Sequence, residues 1–314
     1  MENWMLGILL ATLAQLAGAL GKILMKKAHT LSGWQARTCN LAAFVSIIIL
    51  NPVCGLAAYA YAAQSLLAPL SVLNLVWNAV LAWVLLGEVL RTRGILAYCL
   101  ICVGTLEAAS HGIHVARKYT YAELVQLYSE RAFIVYAIVQ VAVLAALAAI
   151  VRADKSRFSA VVREISWGSL AGLISGNQFL SKSVSVLLRA HAQGKVHWWN
   201  LEFWAIIIGT IIVAVGGIVI LKNGLKEFQA LTLIPIFQSC FVINNVASGL
   251  IYFQEHRQFT RSMVVHYAIA FVFIFAGIAI TAADGSVAKA SGGTAPSLRK
   301  KPSKPVIHPQ PELC

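Results

Sequence analysis

Two lysines interrupt apolar runs of this sequence: Lys22 in "ALGKILMKK" (19–27) and Lys182 in "FLSKSV" (179–184). A charge at the centre of a bilayer helix costs about 2.5 to 3.5 kcal/mol on insertion scales, so a lysine is kept there only where a cavity, a partner or snorkelling relieves it. Each lysine also shares a helical face with other small or polar residues. Gln15, Gly18 and Lys22 follow the i, i+3, i+7 spacing, and Ser175, Gln178, Lys182 and Ser185 repeat it. Two more stripes are Ser71, Asn74 and Asn78, and Gln238, Phe241, Asn245 and Ser248. Facing lipid, such stripes would be expensive, so they are expected to turn inward. Their amides and hydroxyls offer neutral oxygens and donors that can stand in for water around a small solute. They can equally serve as interhelical glue, worth about 0.6 kcal/mol per contact. For any single residue both readings stand. The pathway candidates are Lys22, Lys182, Gln15, Asn74, Asn78, Gln178, Gln238 and Asn245, with Glu88 and Glu255 as a gate or an ion pair. The plainer reading of those two acids is a solvated carboxylate beside Arg91 or Arg257.

Of the 314 residues, 59% are hydrophobic and only 12% are charged, and the mean hydropathy is +0.75. No soluble domain hides that much apolar surface, so the chain reads as an all-α, polytopic membrane protein whose main partner is the lipid bilayer. At about 20 apolar residues per crossing, nine spans fit near 4–25, 41–62, 66–86, 94–110, 132–151, 166–188, 203–221, 229–252 and 262–282. The first lacks the basic flank of a cleavable signal and is expected to be retained. Residues 283–314, rich in Gly, Ser, Pro and Lys, are expected to form a disordered tail.

The formal charge of +13 reflects loop and tail residues that set topology, not a nucleic-acid surface. With the N-terminus outside, the cytoplasmic face collects Lys26, Lys27, Arg91, Arg93, Arg152, Arg157, Arg163, Lys222, Lys226 and the tail cluster Arg299, Lys300 and Lys301. The outer loops carry fewer, and that bias predicts N-terminus out and C-terminus cytoplasmic. On this topology His111, His114, His191, His197 and His256 lie in outer loops. They are candidates for divalent-ion binding or acid sensing, though the commoner reading is ordinary loop histidines. Glu107, near the outer end of the fourth span, is the one acid clearly inside a predicted span. Cys99 and Cys102 form a CxxC that reads as two small packing residues within a helix. Gly168, Gly172 and Gly176 read as close helix packing. Asn51-Pro52 and Gly216-Gly217 mark a kink, or an unwinding toward a cavity.

The landmarks also repeat. Asn78 precedes Glu88 by ten residues and Asn245 precedes Glu255 by ten; Pro69 and Pro235 lie upstream at nearly matching positions, and both lysine segments carry a leucine two residues earlier. Spans 1–4 (residues 1–110) thus match spans 6–9 (166–282). The unmatched fifth span in the 111–165 linker inverts the second copy, giving a four + one + four inverted-topology repeat. Such repeats place a pathway at their interface near mid-membrane, as a transporter requires. A non-transporting receptor or scaffold has no comparable need. No HExxH, GxSxG or carboxylate dyad marks an enzyme, and no cofactor is expected.

The segment "APLSVLNLVWNAVLAWVLLGEVLRTRGILAYCLICVG" (68–104), a proline-led helix closed by Gly-Glu and followed by a Gly-rich helix, resembles the drug/metabolite transporter superfamily. The basic cluster closing span 1, Lys182 in its Ser-Lys setting and "NGLKEFQALTLIPIF" (223–237) make the chain similar to the NIPA family of magnesium transporters. It departs from that pattern at "PIFQS" (235–239) and "FQEHRQF" (253–259). The resemblance implies Mg²⁺ uptake or efflux at a plasma or endosomal membrane, with Mg²⁺ as substrate and a homodimer left open. Charge alone points elsewhere, because two intramembrane lysines without a mid-membrane acid favour an anionic or neutral metabolite. Mg²⁺ that keeps its waters needs only amide and carbonyl oxygens. The lysines are then expected to guard the two mouths of the pathway.

Overall fold

The computed structural model describes residues 3–28, 30–87, 90–114, 117, 119–154, 156–195 and 199–290. Glu88 and the tail from 291 onward lie outside the described residues. Among those described there are helices and no strands. In chain order they are α1 (Asn3–Ala28), α2 (Gly33–Val45), α3 (Asn51–Tyr61), α4 (Gln64–Leu67), α5 (Leu73–Leu86), α6 (Thr92–His111), α7 (Tyr121–Tyr128), α8 (Arg131–Arg152), α9 (Ala160–Ser175), α10 (Phe179–Ala192), α11 (Leu201–Glu227), α12 (Ala230–Tyr252) and α13 (Arg261–Ala290).

Among the described residues, eight helical stretches are long and apolar enough to cross a membrane, and they match eight of the nine expected spans to within a few residues at most ends. The exceptions are informative. The second stretch starts at Gly33, ahead of the expected 41, because the polar run "GWQARTCN" already forms helical turns. The last helix continues past 282 to Ala290, so the expected tail begins later than 283. The remaining span, expected at 166–188, is two helices, α9 and α10, interrupted at Gly176–Gln178.

That interruption exposes carbonyls at the end of α9, and nearby amides take them up. Leu173 O accepts from Asn177 Nδ2 (3.0 Å), Asn244 Nδ2 (2.7 Å) and Gln140 Nε2 (3.2 Å). Tyr136 Oη donates to both Asn177 Oδ1 (3.1 Å) and Asn244 Oδ1 (2.9 Å). Non-helical backbone at membrane depth survives only with such internal partners. A second irregularity joins α2 to α3. A π-helical turn, Ser46–Leu50, precedes Asn51-Pro52, with Asn51 N–H bonded to Ser46 O. Pro52 has no N–H and its ring crowds the preceding turn, and the wider turn accommodates both without ending the span. Gly216-Gly217 leaves α11 continuous.

Between apolar surfaces in lipid there is little hydrophobic drive to associate, so small residues that let backbones touch decide the packing. Side chains added at Gly168 and Gly172 of α9 and at Gly176 just past its end would each run into α12; at Gly172 the new carbon would lie 2.5 Å from Phe237 O. Between α6 and α13 the contact is reciprocal. A carbon on Gly104 would lie 2.6 Å from Ala270 O and 2.8 Å from Ile274, and one on Gly277 would lie 2.6 Å from Ala97 O and 2.7 Å from Ile101. The same three-residue and seven-residue offsets appear on both antiparallel helices.

Gly172→Val and Gly104→Val are expected to cost about 1–3 kcal/mol by overpacking. Gly216→Ala, whose added carbon meets nothing within 4 Å, should be neutral or stabilise by up to about 1 kcal/mol. Unfolding midpoints of the purified variants in detergent check the contrast.

Candidate functional site

A cavity of about 500 Å³ lies among α1, α3, α5, α11, α12 and the α9–α10 interruption. Of the pathway candidates, Gln15, Lys22, Asn74, Gln178, Gln238 and Asn245 line it. Asn78 does not, but it donates to Asn74 Oδ1 at 3.0 Å and so stands directly behind the wall. Lys22 Nζ donates to the same oxygen at 2.6 Å, while Asn74 Nδ2 donates to Gln15 O at 3.1 Å. One asparagine thus ties α1 to α5 and orients the lysine. Gln178, also in the lining, donates from Nε2 to Ser175 O (2.8 Å). Among the described residues lining the cavity, Lys22 is the only one of the Lys, Arg, Asp and Glu types.

Lys182 does not line the cavity. It is 3% exposed, and its Nζ donates to Glu255 Oε1 at 2.7 Å and sits 4.2 Å above the Phe253 ring. The two lysines therefore do not occupy matching mouths: one faces the cavity against an amide, and the other is neutralised by a carboxylate. Glu255, expected either as a gate or ion pair or as a solvated carboxylate beside Arg257, is buried at 3% exposure in an ion pair with Lys182. It sits in a short 3-10 turn, Glu255–Gln258, that follows α12. Its two oxygens also accept the backbone N–H groups of Gln64 (2.9 Å) and Ser65 (2.8 Å), the first residues of α4. An anion at a helix N-terminus satisfies donors that have no partner within the helix. Burial by itself would raise the Glu255 pKa. The adjacent Lys182 charge and the hydrogen bonds from Lys182 and Ser65 outweigh it, so the carboxyl titrates below its ordinary value.

The knot extends into the cavity wall. Gln64, itself fully buried, donates from Nε2 to Asn245 O (2.8 Å), Asn245 Oδ1 (2.9 Å) and Ser248 Oγ (2.9 Å). Tyr267 Oη donates to Ser65 O (3.1 Å), and Arg189 Nη2 donates to Ala60 O at 2.5 Å. Residues of 166–282 thereby close over the start of the third span at one end of the cavity.

The family model for the magnesium transporter NIPA matches residues 4–285. The chain belongs to the NIPA magnesium transporter family. Relatives of this NIPA chain in Arabidopsis thaliana include probable magnesium transporter NIPA8, 25% identical over 76% of this chain and 57% of its own length. Probable magnesium transporter NIPA1 is 24% identical over 73% of this chain and 68% of its own length, and NIPA2 is 24% identical over 81% and 76%. The chain therefore spans little more than half of the NIPA8 relative. No solved structure gives a significant match. The NIPA family is a transporter family, and its bilayer setting agrees with the apolar helices.

Sequence reasoning passed over Gln64, Tyr59 and Thr210. Asn51, expected with Pro52 at a kink or at an unwinding toward a cavity, lines the cavity, and Gly18 is a glycine because any side chain there would overlap the Asn51 amide. Its signal was a lone amide in the middle of an apolar span. Gln64 carried a weaker one, a single amide opening an apolar run.

Lys182→Met leaves a buried carboxylate without its cation and is expected to cost about 3–5 kcal/mol, most of which Lys182→Met/Glu255→Gln should restore. Because the Glu255 carboxyl is depressed on folding, its contribution is present above the ordinary carboxylate value of 4.5 and is lost as pH falls through the lower folded value. Unfolding midpoints across acidic pH should therefore fall for the wild type and less steeply for Glu255→Gln.

Proposed function

We propose that the chain carries Mg²⁺ across its membrane by alternating access, with the cavity as the binding chamber and the Lys182–Glu255 knot as the closed end. The observation that carries this reading is a cavity walled by amides and hydroxyls from both 1–110 and 166–282, in a chain of the NIPA family. Six waters at about 30 Å³ each need roughly 180 Å³, so about 500 Å³ accommodates an octahedral ion with its inner shell intact. Hydrated Mg²⁺ needs acceptors for its waters more than direct ligands, and Gln15, Gln178 and Gln238 can supply them, while the amides of Asn74 and Asn245 are held by Lys22, Asn78 and Gln64. The reciprocal Gly104 and Gly277 contacts support the reading of 1–110 and 166–282 as inverted repeats around the 111–165 linker. The excess of basic residues in alternate loops supports an N-terminus outside or in a lumen and a cytoplasmic C-terminus.

Lys22 has a defined part in this cycle. At about 8 Å and an effective dielectric near 20, a unit positive charge opposes a divalent ion by roughly 4 kcal/mol. Held on Asn74, it keeps occupancy weak enough for release. The same lysine favours a second reading, the carriage of a small organic anion.

Flux in proteoliposomes loaded with a Mg²⁺-sensitive dye separates the two. For Mg²⁺, Asn74→Ala should raise KM and reduce uptake, whereas Lys22→Met should lower KM by up to about a thousandfold, the equivalent of those roughly 4 kcal/mol, and slow turnover. Loss of uptake of a phosphorylated metabolite in Lys22→Met, with no Mg²⁺ flux in the wild type, would establish the anion reading instead.

A further inference from the structure

Away from the cavity, at the far end of the α6–α13 seam, three side chains meet that the transport reading does not use. Glu107 and His111 lie one turn apart in the last turns of α6, and His266 lies in the second turn of α13. His266 Nδ1 is 2.6 Å from Glu107 Oε1, and His111 Nδ1 is 3.4 Å from the same oxygen. The two imidazoles stack with centroids 3.7 Å apart and planes 4° apart. One atom from each residue can be chosen so that all lie within 4.8 Å of one another.

We propose that Glu107, His111 and His266 form a binding site for a transition-metal dication of the Zn²⁺ type, fastening α6 to α13 at that end. Two ring nitrogens aimed at one carboxylate oxygen form a His₂Glu donor set, which leaves a fourth tetrahedral position for water. A tetrahedral ion about 2.0–2.1 Å from each ligand needs ligand atoms roughly 3.3 Å apart, against the observed 2.6 and 3.4 Å. Because a metal lies in the plane of each imidazole that binds it, the rings must turn out of their parallel stack, and His111 Nδ1 must give up its contact with Glu107 O at 3.2 Å, to receive the ion. The side chains are 40%, 33% and 27% exposed for His111, His266 and Glu107, so an ion can enter from solvent. The C-terminal turn of α6 adds negative helix-dipole potential at the site. Imidazole ligands select Zn²⁺ and its neighbours, whereas Mg²⁺ prefers an all-oxygen shell. None of the three residues lines the transport cavity, so this site is separate from the cargo. Because Gly104 and Gly277 already bring α6 and α13 into backbone contact, the metal would lock the seam rather than create it.

The full chain, freed of any polyhistidine tag and stripped with EDTA, is titrated in detergent with Zn²⁺ by calorimetry and with Co²⁺ by visible absorption. One Zn²⁺ per chain and intense tetrahedral Co²⁺ bands are expected, undisturbed by excess Mg²⁺. Glu107→Gln, His111→Asn and His266→Asn should each weaken Zn²⁺ binding by about tenfold or more, while His256→Asn should not. Absence of stoichiometric Zn²⁺ or of the Co²⁺ bands in the wild type would overturn the proposal, as would undiminished binding in the three variants. The wild-type spectrum decides the matter even if a variant fails to fold. Since no flux is read, failure here leaves the Mg²⁺ reading standing, and failure of Mg²⁺ flux leaves this site standing.

Discussion

The structure turns on a buried charge that must be answered. Glu255 is placed where the third span begins, and the two buried backbone N–H groups there have no preceding helical turn to bond. A carboxylate meets both donors at once, but only if its own charge is balanced, and Lys182 supplies that balance at 2.7 Å. Neither charge would be tolerable alone in this environment. The consequence reaches further than the pair. With the start of α4 fixed, Gln64 is held against Asn245 and Ser248 of α12, and Asn245 is also part of the cavity wall. A single side chain is therefore shared between the cavity wall and the Lys182–Glu255 knot, which gives a change at one a physical route to the other.

Glycine placement divides the helices into contacts that are tight and contacts that are polar. Along α6 and α13, and along α9 and α12, backbones approach until no β-carbon fits, and these seams behave as rigid units because interiors packed to that degree resist gradual deformation. Around the cavity the contacts are hydrogen bonds among amides: Asn74 with Lys22, Gln15 and Asn78, and Gln64 with Asn245. Such bonds can be exchanged for water or for a hydrated ion at small net cost. Motion that exchanges polar partners while conserving the glycine seams is the one this arrangement favours.

Most of the fold was legible because a bilayer imposes a simple rule on length and polarity. Eight spans appear where hydropathy puts them, and the inward turn of the amide stripes followed from the cost of facing lipid. The break at Gly176–Gln178 was hidden because a continuous helix and two half-helices share the same apolar content. What distinguishes them is the pair of donors from Gln140 and Asn244 that takes up the freed Leu173 carbonyl, with Tyr136 holding the Asn244 amide, and those lie far away in sequence. The partner of Lys182 was unreadable for a similar reason. Sequence requires that a buried lysine be answered but does not say by which acid, and Glu255 is 73 positions away. His266 drew no attention as a lone polar residue in an apolar span, and only the antiparallel seam brings it to Glu107 and His111.

The different fates of the two lysines bear on how the halves relate. If residues 1–110 and 166–282 are inverted copies, Lys22 and Lys182 hold equivalent places, and a symmetric molecule would treat them alike. It does not: Lys182 is sealed in an ion pair at one end, while Lys22 rests on a neutral amide and faces open space. On the proposed alternating-access reading, unequal ends are what a state open to one side has. On that reading the difference between the lysines is one of state rather than of design. A buried salt bridge suits such a role, since it contributes little net stability when formed yet strongly disfavours any geometry in which only one partner is left buried.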